Sequence, residues 1–266
     1  MPVDPRVMED AMPDTSLFSL EGKTMIVTGA SKGIGKAVAL AGARAGADVV
    51  IGSRTRADLE PVASEVRSMG RRCVVQTVDV GKVGSIRAFV EQVLAETGHI
   101  DVLVNNAGCN RIMPVLEVTE EVYDEIIDVN LKSVFFLSQA LAAHMIEAGK
   151  GGRIINVSSQ VGVVGGPLRA AYTAAKGGVC TLTKSMAAEW AEHGVTVNAV
   201  APTMTRTPMV EKAMENPGFR ANIKKILLGR LAEPDEIASS IIYLASDASA
   251  MVTGHTMLVD GGYTAV

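Results

Sequence analysis

The sequence predicts an α/β fold: a doubly wound, seven-stranded parallel sheet with helices on both faces. Two observations predict it. From Lys23 onward, short apolar runs rich in Val and Ile alternate with longer amphipathic segments, the pattern of strands joined by crossover helices. The runs are apolar throughout rather than at every second residue, which implies burial on both faces of the sheet. The 266 residues allow one large domain or two small ones. No linker, low-complexity run or charge block divides them, so a single domain is expected over 17–266.

In chain order, the first strand is expected over 24–28 (T-M-I-V-T) and the first helix over 33–45. A second strand over 48–52 leads to a helix over 57–69, and a third over 73–78 leads to a helix over 83–96. The fourth strand, 102–104, precedes a long helical stretch, 120–148. The fifth, 153–157, precedes a helix over 171–192. The sixth, 196–200, is followed by a segment that breaks the alternation, 203–229, which carries Pro208 and Pro217. That segment reads as a mobile lobe over the site. A helix over 235–245 and a seventh strand over 257–259 close the chain. Residues 1–16, with three prolines and four acidic residues, read as a flexible tail.

Composition excludes several function classes. A net charge of −4 and a pI near 5.6 argue against a general nucleic-acid binder. Aromatic residues are only 4% of the chain, too few for base-stacking platforms. Cys73, Cys109 and Cys180 stand far apart with no C-x-x-C, so neither a disulfide framework nor a structural zinc site is expected. The N-terminus lacks the apolar stretch of a signal peptide, and no run reads as a membrane span. A cytoplasmic protein without metal is the expectation.

The first strand runs into T-G-A-S-K-G-I-G, Thr28 to Gly35. Gly29 can turn sharply out of the strand. Gly33 and Gly35 allow close backbone approach to a pyrophosphate, with Ser31, Lys32 and Ile34 completing the loop. In such sheets ligands bind beyond the carboxyl ends of the strands. The second strand ends in Ser53 and Arg54, where an acidic residue would select NAD by holding the ribose 2′-hydroxyl. No carboxylate is there to repel a 2′-phosphate, and Arg54 with Lys32 can bind one. NADP(H) is therefore the expected cofactor; otherwise both cations are solvated surface charges.

Tyr172 and Lys176 form Y-x-x-x-K in an expected helix, on one helical face. An ammonium beside a phenol lowers its pKa toward the range of acid–base work. Ser158 and Ser159 end the fifth strand, and Asn105-Asn106-Ala107-Gly108 follows the fourth. All fall on the same rim of the sheet.

With these motifs in order, and the terminal V-D-G-G at Val259–Gly262, the chain resembles the short-chain dehydrogenase/reductase family over nearly its whole length. The resemblance implies a Rossmann-type fold and interconversion of a ketone and a secondary alcohol by hydride transfer. It selects Ser159, 13 residues before the tyrosine, with Tyr172, Lys176 and Asn130 as the catalytic set. It places Asp79 and Val80 at the adenine, Asn106, Ala107 and Gly108 along the adenosine side, and Pro202, Thr203 and Thr207 at the nicotinamide end. Thr203 stands where the family commonly has Gly, which leaves the shape of that loop open. Homotetramers are usual in the family.

The stretches N-A-G-C-N-R and A-A-E-W-A resemble the gluconate 5-dehydrogenase branch, which implies a keto sugar acid or polyol as substrate. Arg111 and Arg169 would then bind the carboxylate, or else serve as rim charges. A 3-oxoacyl-acyl-carrier-protein reductase is the alternative within the class, with Val161, Val163, Val164 and Leu168 suited to an acyl chain. A non-catalytic NADP-binding regulatory protein is the alternative outside it.

Overall fold

A sheet in the order β3-β2-β1-β4-β5-β6-β7 organises the molecule, and every pair in it is parallel. The computed structural model describes residues 15–215 and 217–266. The tail expected over 1–16 lies outside them apart from its last two residues. The strands are β1 (Thr24–Thr28), β2 (Asp48–Ser53), β3 (Cys73–Thr77), β4 (Val102–Asn105), β5 (Gly152–Val157), β6 (Val195–Pro202) and β7 (Thr256–Val259). The order reverses between β1 and β4, which opens a crevice at the carboxyl ends of these strands.

The apolar runs are explained by two cores. Met25, Val27, Val49 and Ile51 point to one face, and Ile26, Val50 and Leu103 to the other, because successive strand residues alternate sides. The first core packs under α1 (Gly33–Arg44), α2 (Glu60–Ser68) and the later helix Pro234–Ala245. The second packs under α3 (Val83–Thr97) and residues of 133–148 and 170–190. Each large apolar side chain removed from water there contributes about 1.5–3 kcal/mol.

Two elements differ from the sequence expectation. The helix expected over 57–69 begins at Glu60, after a 3-10 turn Arg56–Asp58. Pro61 lacks an N–H and fits only the first turn. The stretch expected as one helix over 120–148 is α4 (Glu120–Ile127), a π turn (Asp128–Lys132) and α5 (Ser133–Ala148). Spanning 29 residues and containing an 18-residue window of mean hydropathy 1.3, it is long and apolar enough to cross a membrane by length and composition. That corrects the expectation that no stretch qualifies. Here Leu137, Leu141 and Met145 face the second core, as in a core helix.

The segment 203–229 forms short helices. A one-turn helix α6 (Val161–Val164) and the long α7 (Ala170–Trp190) precede it; α8 (Pro208–Ala213) and α9 (Pro217–Arg220) lie within it, and α10 (Pro234–Ala245) follows. Thr207 caps α8 by accepting from the Val210 N–H at 3.4 Å. Met204, Phe219, Ile226 and Tyr263 form a separate small core that seats the segment on the C-terminal residues.

Candidate active site

The crevice at the strand ends begins with the loop after β1. Gly29 has φ +65°, and a Cβ there would lie 2.9 Å from the Ala107 Cα. At Gly35 a Cβ would land on the Gly29 carbonyl oxygen and the Asn106 amide. Only glycine lets these three segments close together. Asn106 fixes the arrangement by donating from Nδ2 to the carbonyls of Thr28 (2.8 Å) and Gly29 (3.2 Å). Thr28 Oγ1 accepts from the Asn106 and Ala107 N–H groups, both at 3.1 Å.

The loop delivers the N-terminus of α1, whose N-cap Lys32 makes no side-chain cap. Its first N–H groups thus remain available to an anion. Arg54, at the end of β2, and Lys32, in the glycine loop, are exposed and line the crevice. Among the described residues neither forms an ion pair, whereas neighbouring Lys36 and Arg56 are taken by Glu65 and Glu60. A glycine cradle, an uncapped helix start and two uncommitted cations fit a dinucleotide phosphate chain. Ser53, Asp79, Val80, Gly108, Pro202, Thr203 and Thr207 line the same crevice. Thr203 is not among the positive-φ residues; its N–H donates to the Val259 carbonyl at 3.2 Å.

Sequence reasoning missed Asp58, Glu125, Thr205 and Met209 on the crevice wall. Asp58 carried a local signal, four residues beyond Arg54. Glu125 carried none.

At the reacting end, β5 supplies two serines with different surroundings. Ser158 donates to the Lys176 carbonyl at 2.9 Å and touches Cys180 Sγ at 3.2 Å, so it is bound into α7. Ser159 donates to Gln160 Oε1 at 3.0 Å and stands beside the Tyr172 phenol. Burial pushes the pKa of Tyr172 up, while Ser159 and the Arg169 guanidinium pull it down. Lys176 Nζ lies 5.6 Å from the Tyr172 ring centre and donates to the Val157 carbonyl at 2.7 Å. Burial pushes the pKa of Lys176 down to about 8. The i, i+4 spacing brings the two side chains together, and the Arg169 guanidinium lies near enough to act on the phenol's charge as well.

Asn130 sits in the π turn, fully buried. Its Nδ2 donates to the carbonyls of Ile126 (2.8 Å) and Cys109 (2.9 Å), and its Oδ1 accepts from the Cys109 N–H at 3.3 Å. The side chain thereby ties the widened turn to the irregular segment that follows N-N-A-G; π turns of this kind recur at functional sites. Asn130→Ala strands these groups and is expected to lower the unfolding free energy by about 2–4 kcal/mol, read from the denaturant midpoint.

The two arginines part company. Arg111 lines the crevice, half-exposed, with Nη2 2.9 Å from Glu125 Oε1. Arg169 lies outside the crevice wall, buried behind Tyr172.

A family model described as Enoyl-(Acyl carrier protein) reductase matches residues 29–264. The chain belongs to the short-chain dehydrogenase/reductase family. It is 43% identical to 2-dehydro-3-deoxy-D-gluconate 5-dehydrogenase of Escherichia coli over 94% of this chain and 98% of that protein. It is 42% identical to a 3-oxoacyl-acyl-carrier-protein reductase of Thermotoga maritima, covering 91% and 98%. The crystal structure of a gluconate 5-dehydrogenase from Burkholderia cenocepacia in complex with NADP and tartrate superposes with a TM-score of 0.90 at 36% identity, covering 94% and 98%. The protein is thus an NAD(P)-dependent oxidoreductase of this family, acting on CH–OH groups.

Proposed function

We propose that this short-chain dehydrogenase/reductase uses NADP(H) to interconvert a ketone and a secondary alcohol on a keto sugar acid or related polyol. The observation that carries the cofactor choice is the pair of uncommitted cations on the crevice, Arg54 at the end of β2 and Lys32 in the glycine loop, with no carboxylate at position 53 or 54. The Escherichia coli relative and the gluconate 5-dehydrogenase structure support the substrate class.

The bound nicotinamide supplies or accepts the hydride. The chain's own residues manage the oxygen and its proton. Ser159 and Tyr172 hydrogen-bond the carbonyl oxygen from one side, placing donors where negative charge develops. Tyr172 gives its phenolic proton to that oxygen in reduction and takes it back in oxidation. Lys176, with its pKa near 8, restores the proton on the phenol. Asn130 holds the π turn against the Lys176 end of this path: a Cβ on Gly108 would lie 2.9 Å from Asn130 Oδ1 and 3.8 Å from Lys176 Nζ.

A second reading, reduction of a 3-oxoacyl thioester, is favoured by the Thermotoga maritima relative and by the exposed Val163 and Val164 on α6. NADPH oxidation against 5-keto-D-gluconate, neutral ketoses and 3-oxoacyl thioesters separates the two. The keto acid is expected to turn over fastest; faster turnover of a thioester would reverse the assignment.

A further inference from the structure

The Ser159 hydroxyl carries one proton, and Gln160 holds it. Ser159 Oγ donates to Gln160 Oε1 at 3.0 Å, and the Val161 N–H approaches the same Oγ at 3.5 Å. Ser159 is 8% exposed and Gln160 is 2% exposed, so water competes little for either group. A hydroxyl offers one donor and two acceptor positions. Ser159 lines the crevice and stands beside the Tyr172 phenol. The proton that faces Gln160 is therefore the same one that a carbonyl oxygen at Tyr172 would need.

Gln160 is fixed at its backbone and loose at its tip. Its N–H donates to the Pro202 carbonyl at 3.1 Å, which ties the end of β5 to the end of β6. Its carbonyl accepts from the N–H groups of Val163 (3.0 Å) and Val164 (3.1 Å). The turn α6 that follows is pressed against α7, since a Cβ on Gly162 would lie 2.6 Å from the Lys176 carbonyl carbon. These contacts set the backbone of Gln160 relative to Ser159 and to the helix of Tyr172 and Lys176. At the tip, Nε2 donates to no group among the described residues. The terminal torsion of a glutamine is broad and two-fold. Turning the amide about it breaks one hydrogen bond and brings Nε2 to the place of Oε1.

We propose that Gln160 is a positioning residue that acts through Ser159 by offering it either edge of the amide. Oε1 accepts the serine proton when no substrate oxygen is beside it. Nε2 donates to Ser159 Oγ when that proton turns to the substrate oxygen. The bonds then run from Nε2–H to Oγ and from Oγ–H to the substrate. Each donor in such a chain polarises the next, so the serine becomes a stronger donor where negative charge develops. The other arrangement keeps a buried hydroxyl satisfied, which would otherwise be costly. No covalent bond changes at Gln160. The inference rests on the role proposed above for Ser159 and adds the group that directs its proton.

A double-mutant cycle tests it, with kcat measured on whichever of 5-keto-D-gluconate, L-sorbose and a 3-oxoacyl thioester wild type reduces fastest. Gln160→Met keeps the length of the side chain and removes both edges of the amide. In otherwise wild-type enzyme it should lower kcat about five- to tenfold, with both KM values within about twofold. In a Ser159→Ala background the same change should alter kcat by less than about twofold, because no hydroxyl is left to direct. Gln160→Glu gives a second signature. An ionised carboxylate accepts and cannot donate, so it should retain the serine proton and cut kcat by about 100-fold near pH 8. Protonation restores a donor, and burial raises the pKa of the introduced carboxyl. The ratio of variant to wild-type kcat should therefore climb as pH falls from about 8 to about 6.

Equal losses from Gln160→Met in the two backgrounds would overturn the proposal, as would an unchanged kcat in otherwise wild-type enzyme. An uncrippled Ser159→Ala would refute the role of Ser159 itself, and that of Gln160 with it. A crippled Ser159→Ala with additive Gln160→Met refutes Gln160 alone. Titration of NADPH fluorescence checks the fold, and each variant should bind within about threefold of wild type. Loss of NADPH binding in both Gln160 variants would make the residue purely structural and overturn its directing role.

Discussion

Tyr172→Phe is expected to cut kcat for carbonyl reduction by about 10³-fold, with NADPH affinity changed by less than about fivefold, since one hydroxyl is lost from a large contact surface. Phenylalanine fills the same volume, so the packing of Ala171, Ala175 and Ile126 around α7 stays intact and the melting temperature should hold. What disappears is the phenolic proton beside Ser159. The pH profile carries the same information. Reduction consumes a proton, so it needs the phenol protonated and Lys176 charged to resupply it. Burial raises the first pKa and lowers the second to about 8. Wild-type reduction should therefore fall as pH rises through about 8, and oxidation should rise over the same interval. The apparent value belongs to the coupled Tyr172–Lys176 pair rather than to either residue. Equal slow rates for wild type and Tyr172→Phe, with both binding NADPH, would support a non-catalytic binding protein instead.

The contrast between what was legible in the sequence and what was not follows the range of the interactions. β1 was legible to the residue because T-M-I-V-T is bounded by Lys23 and by the glycine loop, and both of its faces need apolar partners. The cofactor loop was legible for the same reason: Gly29 and Gly35 meet backbone, and their requirement is written in the residue type itself. The π turn was not. Asn130 widens the helix because its amide reaches Cys109, 21 residues away, and helical periodicity carries no trace of that partner. Arg111 and Glu125 are 14 residues apart on different elements, so the pairing that cancels Arg111's charge was invisible too. Arg169 was noticed as a cation near the site, but its burial depends on Phe219 and Tyr263, which only the tertiary fold brings to it. Lys176 shows a subtler limit. Its spacing from Tyr172 gave proximity, while its strongest bond, to the Val157 carbonyl, depends on where β5 ends beneath α7.

Arg54→Asp should lower the ratio of kcat/KM for NADPH over NADH by about 10²–10³-fold. A charge-assisted hydrogen bond from guanidinium to phosphate contributes about 1.5–3 kcal/mol. Asp at the same position removes it and adds a repulsive charge, which costs about 1 kcal/mol more at a solvent-screened separation. The introduced carboxylate can also accept from a ribose 2′-hydroxyl, so NADH turnover should improve in absolute terms. The effect stays below complete reversal because Lys32 remains in the glycine loop, exposed and unpaired among the described residues. Lys32→Ala alone should cost about tenfold in the same ratio, and the double variant should lose more than Arg54→Asp. Asp58 makes the reading stricter. It lines the same end of the crevice, so one carboxylate is present there already, and Arg54 must outweigh it for a 2′-phosphate to bind. If Asp58 is the stronger influence, Arg54→Asp will leave the cofactor ratio unmoved and wild type will prefer NADH. Titration of both reduced cofactors by their fluorescence, on wild type and on Arg54→Asp, decides between these outcomes without any substrate.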